Sequence, residues 1–427
     1  MTRGDEGDTP PRETEPPGPA RVIASTTDPT AGIAFVMELG VALHRFGTPA
    51  DRLEAAMSSM ARLLGLESQI SSTPTSIMAG FGPLAAQRTA IVRIDPGEVN
   101  LERLAALDKV AGDVGRRRIT LADGVVRVRA IVSARPRYGP LLIVPAGGLL
   151  SAAAARFLAG GWQEVAAGGA IGLVIGALSL AFRRSIAGSR VFELVAATAA
   201  AALAHAAVIA GFTMSLQIAV LAGLIALVPG LTLTVAMTEL ATRNLASGTA
   251  RLVAAAVAFL QITFGVALAD VVMTRLFGAR PSAFGAPLPA WTELVALVAF
   301  VPAAMVMLGA HPRDALPIAV AGATGYYAAR IGTSLLGPEL GAALGGFALA
   351  AGSNVYARLA DRPAMVPLVP GLLLLVPGSM GLRSLSSMLE RDVITGIDTA
   401  FAMILVGVSL VAGLLMATVS VPPRREL

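Results

Sequence analysis

The sequence predicts an all-α polytopic membrane protein. About ten transmembrane helices form a 5+5 inverted repeat, preceded by a small cytosolic α+β domain. Three observations carry this expectation. First, 55% of the 427 residues are hydrophobic, only 14% are charged, and mean hydropathy is +0.71, which leaves too little polar surface for a soluble chain. Second, polarity changes sharply near residue 139, from mixed segments to long apolar runs. Third, GLIALVPG at 223–230 returns as GLLLLVPG at 371–378, 148 residues later and with six of eight residues identical.

Residues 1–30 are rich in Pro, Glu, Asp and Thr and read as a disordered tail without a signal peptide. Residues 31–139 read as the cytosolic domain. AGIAFVMELGVALHRFG has helical spacing and stops at Gly47. In the next helix, Thr48 is the expected cap and Pro49 the first helical residue. Leu53, Met57, Met60, Leu63 and Leu64 form its apolar stripe, and Gly65 ends it. ISSTPTSIMAGF and TAIVRID read as strands, followed by a second helix pair around 98–115. GVVRVRAIV reads as a further strand, from the alternation of Val126 and Val128 with Arg127 and Arg129. The domain contains no GxxxxGK[ST], HExxH or GxSxG.

The apolar part divides into spans near 141–159, 164–182, 191–211, 213–229 and 249–273, then 291–309, 315–331, 338–358, 363–378 and 396–420. The two halves are 140–277 and 290–420. With the domain in the cytoplasm, Arg127, Arg129, Arg135, Arg137, Arg243, Arg313, Arg358 and Arg362 face inward. Arg156, Arg275, Arg330 and Arg383 face outward. This bias places both termini in the cytoplasm. The same reading accounts for the net charge of +5, so no nucleic-acid partner is expected. The chain has no cysteine, and its three histidines are well separated; neither a metal nor a cofactor is expected.

At the same offset of 148, Gly248 matches Gly396, Gly265 matches Gly413 and Ala269 matches Ala417. At nearby offsets Glu193-Leu194 matches Glu339-Leu340, and Glu164 matches Asp314. A unit of five spans must enter the membrane from opposite sides in its two copies, as in many secondary transporters. Pro229-Gly230 and Pro377-Gly378 break helices. In hydrocarbon, the freed backbone groups need protein, water or ligand as partners. The alternative is that each VPG simply ends a span.

Several ordered segments resemble the threonine/serine exporter family. They are FGTPADRLEAAMSSMARLLGLE, GGWQE, LVPG followed by TELATRNLASGTARL, ELGAALGGFALAAGSNVYAR and LVPGSMGLRSL. The resemblance runs from about residue 31 to 420, with a larger and a shorter module fused in one chain. It implies an inner-membrane exporter of threonine and serine driven by the proton gradient. Related two-subunit systems are associated with dicarboxylates such as succinate. No ligand residue is carried over from the family.

Intramembrane polar residues supply the candidate sites. Those for proton coupling are His205, Glu193, Glu339 and Asp270. Those for the substrate pathway are Pro229, Gly230, Pro377, Gly378, Glu239, Gln261 and Asn354. Each has a plainer alternative: a helix-bonded histidine, a capping acid, a solvated loop or a close helix contact. Coupling is needed because the membrane potential does no work on a zwitterion, whereas an inward proton gains about 2.3 kcal/mol per 100 mV. A dicarboxylate exporter, a membrane enzyme and a sensor remain the other readings, and a homo-oligomer is left open.

Overall fold

The computed structural model describes residues 29–95, 97–182, 186–278, 285–389 and 392–422. The expected tail, save its last two residues, lies outside them. The chain begins with α1 (Pro29–Arg45) and α2 (Ala50–Leu63), then a sheet of β1 (Ser68–Thr73), β2 (Ser76–Phe81) and β3 (Arg88–Arg93). The sheet is antiparallel in the order β1-β2-β3, with Thr73 opposite Ser76 and Phe81 opposite both Ser68 and Arg88. Helices α3 (Leu101–Gly115) and α4 (Leu121–Ser133) follow.

Three local expectations are corrected. The pair of helices around 98–115 is one helix, α3, whose start is capped by Asn100 accepting from Arg103 N at 3.0 Å. GVVRVRAIV is not a strand but lies in α4. Thr120 caps that helix by accepting from Asp123 N at 3.1 Å. Gly124 and Val128, four residues apart, are its buried face, so spacing by four overrides the apparent alternation. Finally, Thr48 makes no capping bond and Pro49 stands outside α2, which begins at Ala50. The Ala50 N–H that a cap would compete for is taken by Glu239, far along the chain.

Phe35, Leu39, Leu43, Leu53, Met57, Ile77 and Leu107 fill the core of this region, each contributing about 1.5–3 kcal/mol by leaving water. That core does not close on itself. It continues into Val301, Met305, Leu308, Ala310, Ile318, Met365 and Val369 of the apolar half. Leu101 N donates to Leu308 O at 2.9 Å, Glu102 N to Gly309 O at 3.0 Å, and Tyr138 Oη to Ala310 O at 2.8 Å.

The rest is a helical membrane protein. Seven segments among the described residues are long and apolar enough to cross a bilayer. The helices are α5 (Pro140–Phe157), α6 (Trp162–Phe182), α7 (Ile186–Ile209), α8 (Leu216–Gly223), α9 (Gly230–Ala241) and α10 (Leu245–Phe277). Six more follow: α11 (Trp291–Met307), α12 (Ala315–Leu336), α13 (Pro338–Ala360), α14 (Met365–Leu375), α15 (Gly378–Leu389) and α16 (Val393–Ser420). Both series run moderate, long, long, short, short, very long.

The expected spans 213–229 and 363–378 are therefore too short. Neither VPG ends its segment, because a new helix starts at each glycine, α9 at Gly230 and α15 at Gly378. The cause is local. Proline lacks the N–H and disfavours the helical conformation in the residue before it. Val376 accordingly adopts φ −68°, ψ 132°.

Candidate transport site

The two breaks meet. A Cβ built on Gly230 would fall on Val376 Cγ1 and stand 3.3 Å from Gly378 Cα. One built on Gly378 would stand 2.6 Å from Val228 Cγ1 and 3.2 Å from Gly230 Cα. Only residues without a side chain allow this approach. Beyond the breaks, each helix packs mainly within its own half, α9 on α10 and α15 on α16, and also reaches across, α9 to α16 and α15 to α10. Gly407 of α16 leaves room for Met237 of α9, and Gly381 of α15 for Phe259 of α10. Thr234 Oγ1 donates to Gly230 O at 3.2 Å within the first turn of α9.

Two buried acids fix the start of each broken segment. Glu164, fully buried, accepts from Gly161 N at 2.9 Å, Ser215 N at 2.8 Å and Gly285 N at 3.1 Å. It thus caps its own helix and holds the entry to α8. Asp314, 1% exposed, pairs with both terminal nitrogens of Arg362, just ahead of α14. The acid lies at the start of the second helix of its series in both cases, but one partner set is backbone and the other a guanidinium.

Glu239, on α9, is also fully buried. It accepts from Ala50 N at 2.9 Å and from Arg251 Nε of α10 at 3.1 Å. The first N–H of α2 thus points at a carboxylate, which the helix dipole favours. His205 and Asp270, proposed separately from sequence, face each other with Nε2 and Oδ1 3.1 Å apart, while Nδ1 of the same ring lies 3.2 Å from Ala201 O. Asp270 is largely exposed on the outer side of α10 and His205 is mostly covered.

The other expected residues are not gathered at the breaks. Asn354 is buried and donates to Val421 O at 2.8 Å, tying α13 to the end of α16. Gln261 is half-buried on α10, and Glu193 and Glu339 are half-buried on α7 and α13. The two glutamates are not equivalent in space. Gly265 packs against Leu194 O, one residue after Glu193, whereas Gly413 packs against Ala343 O, four residues after Glu339.

Sequence reasoning missed a second polar group. Glu293 of α11, 8% exposed, bonds Tyr326 and Arg330 of α12, and Arg156 Nε of α5 donates to Thr292 Oγ1 at 2.6 Å. No spacing announces these contacts, since each joins separate helices. A groove of about 520 Å³ runs between α5 and α6, lined by Pro145, Gly148, Ala152, Val165, Gly169 and Leu173. It offers no polar side chain and none of the break residues, which leaves it without groups to bind a polar substrate.

Outside the apolar helices, His44 Nε2 lies 2.8 Å from Thr73 O, and burial, reinforced by Arg251, lowers the ring's pKa. The hydrogen bond from Arg137 holds the Glu102 carboxyl below its usual range.

Broken apolar helices meeting through two glycines, with buried acids at their ends, define a polytopic helical membrane protein of transporter type. The chain belongs to the threonine/serine exporter family. Residues 34–273 match the family described as "Putative threonine/serine exporter", and residues 293–420 match "Threonine/Serine exporter, ThrE". Similar curated proteins carry the name "Pheromone-regulated membrane protein 10". That of Pichia sorbitophila is 28% identical over 388 residues, covering 87% of this chain and 38% of the relative. That of Candida albicans is 29% identical over 385 residues, covering 86% and 34%. That of Eremothecium gossypii is 23% identical over 375 residues, covering 86% and 50%. The chain thus spans about a third to a half of these relatives' length. No solved structure matches it.

Proposed function

We propose that this protein is a secondary exporter of small amino acids, threonine and serine, working by alternating access of two inverted halves. The observation that carries the reading is the close approach of Gly230 and Gly378. Each half, 140–277 and 290–420, supplies five crossings, with α8–α9 and α14–α15 each counted as one broken crossing. The breaks lie where the halves meet, which is where substrate sites of such transporters form. A Cβ built on Gly248 would stand 3.0 Å from Ala236 O and one built on Gly396 3.0 Å from Ser384 O, matched surroundings that support the repeat. Pro229, Gly230, Pro377 and Gly378 frame the pathway, Glu239 stands at its domain-side end, and Gln261 and Asn354 are secondary positions.

Uphill export of a zwitterion draws on the proton gradient. Of the four coupling candidates, His205 and Asp270 have the stronger case because their side chains face each other at 3.1 Å. Glu193 and Glu339 act as lesser contributors. The protein resides in the inner membrane with both termini and the 31–139 domain in the cytoplasm.

The test is counterflow in proteoliposomes with labelled threonine, serine and succinate, with and without an imposed pH gradient. The reading requires exchange of threonine or serine that the gradient drives uphill. Exchange of succinate alone would move the substrate to dicarboxylates. Exchange of none would sink the exporter reading.

A further inference from the structure

Six buried side-chain polar atoms lack a hydrogen-bond partner among the described residues: His44 Nδ1, Thr48 Oγ1, Asp51 Oδ1, Glu239 Oε2, Ser247 Oγ and Arg383 Nε. The first five flank one junction. Ala50 N donates to Glu239 Oε1, and Thr48 and Asp51 stand on either side of Ala50. His44 is close enough to Glu239 and Arg251 for their charges to act on it. Ser247 lies one turn before Arg251 on the same face of α10. His44 is 5% exposed, Thr48 and Ser247 1%, and Glu239 0%. Native folds rarely leave such groups without partners.

The unmet demand has a sign. Thr73 O can only accept, so His44 Nε2 carries the ring proton and Nδ1 is an acceptor. Glu239 Oε2 and Asp51 Oδ1 are carboxylate oxygens, which also accept. Arg251 Nε lies 3.1 Å from Glu239 Oε2 but makes its hydrogen bond to Oε1. The hydroxyls of Thr48 and Ser247 serve either way. The junction therefore wants hydrogen-bond donors. It also wants positive charge: the three acids Asp51, Glu54 and Glu239 outnumber the two cations, Arg251 beside Glu239 and Arg52 beside Asp51. Among the described residues no three His, Asp or Glu are set to hold a metal ion. A primary ammonium, with three N–H donors and one charge, matches the set.

The same junction offers something to an anion. Arg251 bonds Glu239 through Nε, and its terminal nitrogens make no bond among the described residues. Its side chain is 22% exposed. We propose that the junction of α2, α9 and α10 binds the headgroup of a free α-amino acid. Its ammonium is held by Asp51 Oδ1, Glu239 Oε2 and Thr48 Oγ1, and its carboxylate by Arg251. The site rests on the exporter reading for its substrate class, and differs from the crossing of the breaks in position. A bound amino acid there joins the N-terminal region to the second half of the broken α8–α9 segment.

The test is equilibrium binding of labelled L-serine to the full chain in lipid nanodiscs. Competition by ethanolamine, which lacks the carboxylate, and L-lactate, which lacks the ammonium, probes each half of the headgroup. Sodium chloride against choline chloride probes an alkali ion. Thr48→Val and Asp51→Asn remove orphaned acceptors without breaking any bond seen here. Each should raise the serine Kd about tenfold, the loss expected for one charge-assisted hydrogen bond. Melting temperatures and monodisperse elution of the nanodiscs serve as folding controls. Unchanged serine affinity in both variants, or filling of the site by sodium or by water alone, overturns the assignment and leaves the exporter reading standing. Absence of serine and threonine binding and counterflow in the wild type overturns both.

Discussion

Gly230 and Gly378 stand face to face: a Cβ on the first would lie 3.3 Å from the Cα of the second, and one on the second 3.2 Å from the Cα of the first. Gly230→Ala and Gly378→Ala should each cost about 1–3 kcal/mol through overpacking and slow counterflow. Val376→Ala should relieve the first and Val228→Ala the second, because those side chains occupy the space in question. Melting temperatures and initial rates of serine counterflow check both statements. Full activity in both glycine variants would show that the approach is not needed for transport.

Asp314 and Arg362 make a buried pair. Asp314→Asn should destabilise by about 3–5 kcal/mol, because the guanidinium then lacks its counter-charge. Replacing both by leucine should be far milder. A double-mutant cycle read by thermal unfolding separates the two cases. Additive losses would mean that the pair is not coupled.

His44 gives the protein a pH dependence of definite sign. Its folded pKa lies below the usual value because the ring is buried, so the unfolded chain binds the proton first. Stability is full above about pH 6.5 and falls on acidification, by at most about 1.4 kcal/mol per pH unit, until the folded ring also titrates. His44→Gln should flatten the melting-temperature profile in that window. An unchanged profile would assign the slope to other groups.

Glu102 follows the carboxylate pattern. Arg137 lowers its pKa, so its contribution is present above about pH 4.5 and is lost as pH falls through the folded value. The pair is partly exposed, which limits it to about 0.2–1 kcal/mol. Arg137→Leu should remove that acid-sensitive part, measurable as a smaller drop in melting temperature between pH 6 and pH 4.

Asp270 faces His205 at 3.1 Å. Asp270→Asn should abolish gradient-driven accumulation while preserving serine exchange, since exchange moves no net proton. Accumulation at the wild-type level would return the coupling role to Glu193 or Glu339.

Local chemistry explains what was legible in the sequence. Apolar length announces the helices, Gly47 and Gly65 end α1 and α2, and the repeated Pro-Gly pairs mark both breaks in the sequence itself. Their continuation into α9 and α15 was not legible, because a turn and a mid-segment break use the same residues. The α4 error arose where Val and Arg alternate over a stretch short enough to satisfy either period; the Thr120 cap decided it. Glu239, Asp314 and Glu164 were visible as acids, but their partners come from Ala50, Arg362 and Gly285, far off in the chain. Long-range pairing of this kind leaves no spacing to read.

The shared core has a consequence for biosynthesis. Residues 29–133 leave the ribosome before the apolar half does, yet their apolar surface is finished by Val301, Met305, Ile318, Met365 and Val369. At about 5–20 residues per second, the nascent head must wait on the order of tens of seconds for its last wall to be threaded. A chain arrested between the halves would carry a sticky, unfinished face. Completion of the head thus waits on the placement of α11, α12 and α14.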